Sequence, residues 1–253
     1  MLKLFLGWLA INAALLLTIW LIVRGWQHTR PLTGPQLAKH LDRETNTDSQ
    51  RPALSFGETA FLLRETGRPS ETRLLSAVLT AWLGSGQVTC RTASKKRLVS
   101  FGDEMQPTLS FSDAGAELPG AEGALFALLS SGCDSGTMQS GEAYNWAREN
   151  APSLRNALLR FEAEGRAVLR AEGAVREETR KHFLGPQERL IYTPRGLRRA
   201  LALRCLENHL RQSPDDCPAY AVLFGYAEPP QPLNGLCESL TNGYTAGLRS
   251  TMP

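Results

Sequence analysis

The sequence has few cysteines, little net charge and no recognisable catalytic motif. Five cysteines occur in 253 residues and none belongs to a Cys-x-x-Cys pair, so a disulfide scaffold is not expected. The net charge of +3 is too small to require a nucleic-acid partner. Motifs for phosphate loops, serine hydrolases, zinc proteases and dinucleotide binding are missing, so we predict a protein that is not an enzyme and needs no cofactor.

Most of the contiguous hydrophobicity lies in one run at the N-terminus. Residues 4–23 carry no charge, and as a helix they would cover roughly the 30 Å of a bilayer's hydrocarbon core. The run is longer than the apolar part of a secretion signal and ends at Arg24 without a small-residue cleavage site. Basic residues are more frequent after it than before it. We therefore predict a single-pass anchor (1–24) in the inner membrane, with the remainder of the chain cytoplasmic.

A polar stretch with three prolines follows the predicted anchor. Residues 25–53 show apolar spacing only around Leu37 and Leu41, and their remaining residues are mostly polar. This composition predicts a juxtamembrane linker.

Residues 54–101 contain signals for a short helix, a longer helix and a hairpin, in that order. Ser55 or Gly57 is suited to begin the first helix. The second is predicted from apolar residues at helical spacing, namely Leu74, Leu75, Val78, Leu79 and Leu83. Alternating runs at 87–92 and 97–101 predict the hairpin. This order is typical of a winged-helix domain.

Residues 102–119 are rich in Ser, Gly, Asp and Pro, which predicts a linker between two domains. A second series of helices follows at 120–129, 139–149 and 152–164. Paired strands are expected at 166–170 and 189–193, with a long loop over 172–187.

An amphipathic helix at 196–211 and a short apolar segment at 218–226 complete a second winged-helix-like domain, 120–226. The tail, 227–253, is predicted to be loosely ordered. The chain as a whole is predicted to be mainly α with small β-hairpins, in the α+β class: one transmembrane helix followed by two winged-helix-like domains.

Three segments carry a resemblance to a known family: Leu54 to Gly86, Gly120 to Gly165, and Pro218 to Gly225. The last contains a Tyr-Ala-x-x-x-Gly pattern after an amphipathic helix. Their order resembles the cytoplasmic C-terminal part of the bacterial predicted membrane proteins of domain of unknown function 2207. The resemblance covers about residues 54–226 and implies a membrane protein with tandem winged-helix-like domains. The chain lacks the large extracytoplasmic domain and additional membrane helices of longer members, and the family has no catalytic residues to transfer.

Arginines are concentrated in the second half of the chain. Residues 155–211 hold twelve arginines and one lysine against seven glutamates. The candidate interaction face lies on the predicted helix 196–211 and the residue before it, and comprises Arg195, Arg198, Arg199 and Arg204. It could meet a protein, anionic lipid or nucleic acid. In the first domain, by contrast, the predicted helix from Glu71 to Gly84 has Arg73 as its one cation, which argues against DNA recognition there.

Cys205 and His209 are one helical turn apart, with Cys217 and Cys237 downstream. A Cys/His metal site is conceivable, but the later spacings lack the close pairing of structural zinc sites. Buried apolar thiols are the simpler interpretation, and we predict no metal.

Two main functional hypotheses follow, beside a third, a hydrolase that would need a cleft with converging titratable groups. The first is a membrane-anchored, cytoplasm-facing adaptor or scaffold without catalytic activity, which contacts the lipid bilayer through residues 4–23 and binds a protein partner at the inner membrane. The alternative is a membrane-tethered winged-helix regulator that binds DNA through the arginine-rich half.

Overall fold

The computed structural model describes residues 17–18, 32–41, 54–68, 71–96, 103–133, 136–182 and 185–251. These residues are mainly helical with two small antiparallel sheets, which confirms the α+β class. The helices are α1 Gly34–Leu41, α2 Phe56–Glu65, α3 Glu71–Ser85, α4 Gly120–Ser131, α5 Ser140–Glu149, α6 Ala151–Ala171, α7 Pro194–Gln212, α8 Pro218–Phe224 and α9 Leu233–Thr251. The strands are β1 Val88–Lys96, β2 Asp103–Phe111, β3 Thr137–Gln139, β4 Val175–His182 and β5 Gly185–Tyr192.

Helices α2 and α3 confirm the predicted pair at the start of the first series. Ser55 caps α2: its hydroxyl accepts a hydrogen bond from the N–H of Glu58 (3.2 Å), whose carboxylate accepts one from the N–H of Ser55 (3.0 Å). Helix α3 is buried on all sides, since every residue from Leu74 to Thr80 is buried. It is therefore a core helix.

The prediction of a linker at 102–119 is wrong, because these residues contain β2 and a 3-10 helix, Asp113–Glu117. Strand β1 does pair with an antiparallel strand, but its partner is β2, which lies in the predicted linker, and β1 continues through the predicted turn to Lys96. The predicted second strand at 97–101 lies outside the described residues. Pro107 is tolerated in β2 because β3 pairs only with residues 108–110, so that Pro107 lies where β2 has a single partner strand.

The prediction of a strand at 166–170 is also wrong, because helix α6 continues to Ala171. The predicted helix stopped just before Gly165. Gly165 does not end the helix but lies at a crossing with α2, where any side chain on it would overlap the backbone of Gly57. The loop predicted over 172–187 is replaced by β4, which pairs with β5 in a hairpin.

The tail predicted to be loosely ordered contains the long helix α9. Its buried residues recur at helical spacing: Leu233, Leu236, Cys237, Leu240 and Tyr244. Gly243 and Gly247 allow α9 to approach α5 and the start of α6, because a Cβ on Gly243 would lie 3.1 Å from the Cβ of Ala147.

The predicted juxtamembrane linker 25–53 contains helix α1, which packs against α7 and β5. Leu37 is fully buried and Leu41 nearly so. The two leucines that stood out in this stretch are thus core residues, and the segment between them belongs to the folded body.

No helix among the described residues is long and apolar enough to cross a membrane. The predicted anchor, residues 4–23, lies outside them apart from residues 17–18.

A single hydrophobic cluster joins the two halves of the chain within the described residues. Helix α2 from the first half packs closely against α6 from the second, and β2 pairs with β3. Two aromatic contacts cross the same boundary, since Phe126 of α4 meets Trp82 and Phe111 edge to face, with ring centroids 5.3 and 5.2 Å apart. The limits of the two predicted domains remain a prediction, and these contacts favour cooperative unfolding.

Candidate interaction surface

Arg199 of the predicted interaction face is a structural residue. Its guanidinium forms a bidentate ion pair with Glu172, which follows α6 (Nη2 to Oε1, 2.8 Å; Nε to Oε2, 3.2 Å). A second carboxylate, that of Glu58 on α2, lies 3.9 Å from Nη1. Arg199 therefore links three helical segments, and its charge is opposed by two carboxylates.

Arg204 is likewise directed toward a buried partner. Its Nη1 lies 2.8 Å from Oε2 of Glu207, which is 3% exposed. Arg68, after α2, donates from Nη2 to the same oxygen (3.2 Å), and the hydroxyl of Tyr226 donates to Oε1 (3.0 Å). The Arg211 guanidinium lies 5.5 Å from the centroid of the Tyr226 ring. This Glu207 cluster ties α7 to the ends of α2 and α8.

The Glu207 cluster should make stability depend on pH in the acidic range. Burial alone would raise the pKa of Glu207, but hydrogen bonds from Arg68 and Arg204, with a further one from Tyr226, hold it below the ordinary value of 4.5. A lowered pKa in the folded state contributes stability above pH 4.5 that is lost as the pH falls below it. We expect Glu207→Gln to cost about 1.5 kcal/mol at pH 7, less than for a sealed pair because Arg68 is partly exposed.

Urea unfolding at pH 7 and pH 3.5 measures this effect. The difference between wild type and Glu207→Gln should shrink at the lower pH. Glu149→Gln, at an exposed position, is the matched control and should change stability little at either pH. A Glu207→Gln penalty that stays constant from pH 7 to pH 3.5 would contradict the assignment of a lowered pKa.

The other two arginines of the predicted face differ from each other. Arg195 is exposed, and its Nε lies 3.8 Å from Oε2 of Glu172. Arg198 is exposed and forms no ion pair with any described carboxylate. The structure thus brings Arg195 and Arg199 together at Glu172, places Arg204 at Glu207 and leaves Arg198 at the surface.

The conceivable Cys/His metal site is not formed by the described residues, in which no three His, Cys, Asp or Glu side chains are grouped as metal ligands. His209 pairs with Asp216 instead (Nε2 to Oδ2, 2.6 Å). Cys237 is buried on α9, where burial raises its thiol pKa to about 12.

A groove between α6 and β4 is a second candidate surface, which the sequence analysis missed. We call it the α6–β4 groove; it is lined by Ala163, Arg166, Ala167, Arg170, Ala171 and Glu177. The alanines are spaced by four residues and share one helix face. That spacing was the available signal in the sequence.

Both arginines of the α6–β4 groove are paired with one carboxylate. Nη2 of Arg166 lies 2.6 Å from Oε1 of Glu177, and Nη1 of Arg170 lies 3.3 Å from Oε2. Val168, on the same helix, is 37% exposed. The groove consequently combines small apolar side chains with cations whose charge is partly neutralised.

No family model matches the sequence, and no curated protein or solved structure is significantly similar to it. The resemblance to domain of unknown function 2207 therefore stays a prediction.

Proposed function

We propose that this chain is a membrane-anchored, cytoplasm-facing protein-interaction module without catalytic activity. In this proposal residues 4–23 span the inner membrane, and the folded part binds a segment of a partner protein in the α6–β4 groove. The proposal combines the charge-free N-terminal run, the missing catalytic motifs and the chemistry of the groove.

The finer fold assignment is part of the same proposal. The sets α2–α3–β1–β2 and α5–α6–β4–β5 each consist of two helices followed by an antiparallel hairpin, as in winged-helix domains. We interpret them as two winged-helix-like units that share a core. Under this interpretation α3 and α6 occupy the position of a recognition helix, and only α6 has an exposed face.

A protein partner is favoured over nucleic acid because Arg166 and Arg170 are already paired with Glu177. A groove that binds nucleic acid needs cations free to replace counterions at the phosphates. Here one glutamate engages both arginines, and three alanines line the groove. A polypeptide segment can pack against such alanines and hydrogen-bond at the charged rim, as in other interfaces with an apolar centre.

The DNA-binding alternative is supported by exposed cations that form no ion pair with a described carboxylate. One of them is Arg160, which also lies on α6. Together with the positive excess over residues 155–211, it leaves a cation available for phosphate contact.

Photocrosslinking in membranes tests the proposed interface. We expect a photoreactive amino acid in place of Ala167 to yield a discrete protein adduct of the full chain. The same amino acid in place of Asn145, exposed on α5, should yield none. Adducts of equal yield at both positions would contradict a specific groove.

An electrophoretic DNA-binding series against salt decides between the two hypotheses. The proposed module should show weak binding without sequence preference. If no adduct forms at position 167 and the salt dependence corresponds to several phosphate contacts with sequence preference, the DNA-binding regulator would replace our proposal.

A further inference from the structure

The folded body is joined to the predicted anchor at one edge of the β4–β5 hairpin. Leu32 forms an antiparallel bridge with Tyr192, in which the N–H of Tyr192 donates to the carbonyl of Leu32 (2.8 Å). Next to it, Nη2 of Arg189 donates to the hydroxyl of Thr33 (3.4 Å). The first described residues of the body are therefore fixed against β5.

The short stretch between anchor and body limits how far this edge can lie from the membrane. From Val23, the last residue of the predicted span, to Leu32 there are nine residue steps, which reach at most roughly 30 Å even when fully extended. Helix α1 begins two residues after Leu32 and packs against α7 and β5. Hence α1, β4, β5 and α7 are the elements tethered nearest to the bilayer.

These four elements hold most of the excess positive charge of the chain. They contain ten lysines and arginines and four glutamates, whereas the whole chain has a net charge of only +3. The remainder of the protein is accordingly net negative. Positive charge is thus concentrated near the predicted anchor.

Each of the four elements contributes at least one exposed cation that forms no ion pair with a described carboxylate. On α7 these are Arg198 and Arg211, and Arg211 is left out of the set because its guanidinium lies over the Tyr226 ring. We call this set the anchor-proximal surface, and it comprises Lys39, Arg176, Arg189 and Arg198. The arginines already paired with glutamates, such as Arg199 and Arg204, are not part of it.

We infer that the anchor-proximal surface binds the anionic lipid headgroups of the membrane that holds the chain. The inference rests on the proposed membrane anchor. The cytoplasmic leaflet carries anionic lipids, and its surface potential attracts basic residues within about 10 Å. Because the tether keeps the surface close to the bilayer, its effective concentration there is high without any further binding site. Headgroup contact would orient the α6–β4 groove relative to the membrane.

The test uses the full chain in nanodiscs with a nitroxide on a small fraction of the lipid headgroups. A dye is attached at position 202, one helical turn from Arg198, or at position 145 on α5 as a control. We expect quenching at position 202 to be at least threefold stronger in discs with 30% phosphatidylglycerol than in phosphatidylcholine alone. It should fall toward the neutral-lipid value in 0.5 M salt. Quenching of the dye at position 145 should be the same in both lipid compositions.

Charge variants identify the residues responsible. The fourfold variant Lys39→Gln, Arg176→Gln, Arg189→Gln and Arg198→Gln should reduce quenching at position 202 to the neutral-lipid value. A matched variant should leave quenching at position 202 unchanged. It replaces four exposed arginines elsewhere in the chain: Arg91, Arg148, Arg160 and Arg249. Replacing the three surface arginines by lysine should retain the effect, because charge and not guanidinium geometry is required.

Three results would overturn the inference. These are equal quenching in both lipids, quenching that persists in the fourfold variant, and loss of quenching when equimolar duplex DNA is added, which would assign the surface to nucleic acid. A chain that carbonate washing removes from membranes would instead refute the anchor itself, and with it the inference. Membrane insertion is therefore measured first, so that the two failures are distinguished.

Discussion

Gly165→Ala is expected to destabilise the protein by about 3 kcal/mol, through overlap at the crossing of α2 and α6. A Cβ at position 165 would overlap the carbonyl group of Gly57, and one at position 57 would lie 2.8 Å from the carbonyl oxygen of Phe161. Backbone atoms cannot move aside as a flexible side chain does, so the two helices must separate. Urea unfolding followed by the circular dichroism of the helices measures the loss.

Gly141→Ala is the matched control for this prediction. Gly141 lies in α5, and a Cβ placed on it would have no neighbouring atom within 4 Å, so alanine there should be neutral or stabilise by about 0.5 kcal/mol. The double variant Gly57→Ala, Gly165→Ala should cost less than the sum of the two single variants, because one helix separation relieves both overlaps. A Gly165→Ala protein as stable as wild type would mean that the helices do not cross at these glycines.

Elements that depend on local patterns were predicted well from the sequence. Helix α3 follows from the spacing of its leucines, and α7 lies within two residues of its predicted limits. The start of α2 was predicted from Ser55 or Gly57, and the structure shows that Ser55 is the cap. In each case the signal and the structure it specifies lie in the same few residues.

Glycine was misinterpreted wherever its role depended on a distant segment. Gly165 was predicted to end a helix and Gly243 to lie in a loose tail, but both sit inside helices at close crossings. The leucines of α9 do show helical spacing, but the prediction of a loosely ordered tail did not use it. A glycine that ends a helix and a glycine that lets a second helix pack closely look the same in the local sequence. Only the tertiary contact distinguishes the two roles.

The candidate site was only partly predictable for a similar reason. The concentration of arginine was visible in the sequence, but the glutamates that neutralise it were not assigned. Arg199 meets Glu58 from 141 positions earlier in the chain, and Glu207 meets Arg68 from 139 positions earlier. Sequence arithmetic gives the net charge of a segment. Which cations remain free to bind a partner depends on long-range pairing.

Replacing Leu79 or Leu158 by alanine is expected to lower one common unfolding transition. Leu79 is fully buried in the first half of the chain and Leu158 almost fully in the second, at 1% exposure, so each change should cost about 2–5 kcal/mol through lost burial and a residual cavity. Both leucines belong to one continuous cluster, and α2 packs against α6 across the boundary. Loss of either should therefore weaken both halves together.

Calorimetry of residues 25–253 tests this coupling, with Met105→Ala as a control. Met105 is 62% exposed on β2, and its replacement should change stability by less than about 0.5 kcal/mol. A single transition shifted by both leucine variants would establish one cooperative unit. Two transitions, of which Leu79→Ala moves only the first and Leu158→Ala only the second, would instead establish 54–101 and 120–226 as separate domains, because the contacts across their boundary would then be too weak to couple them.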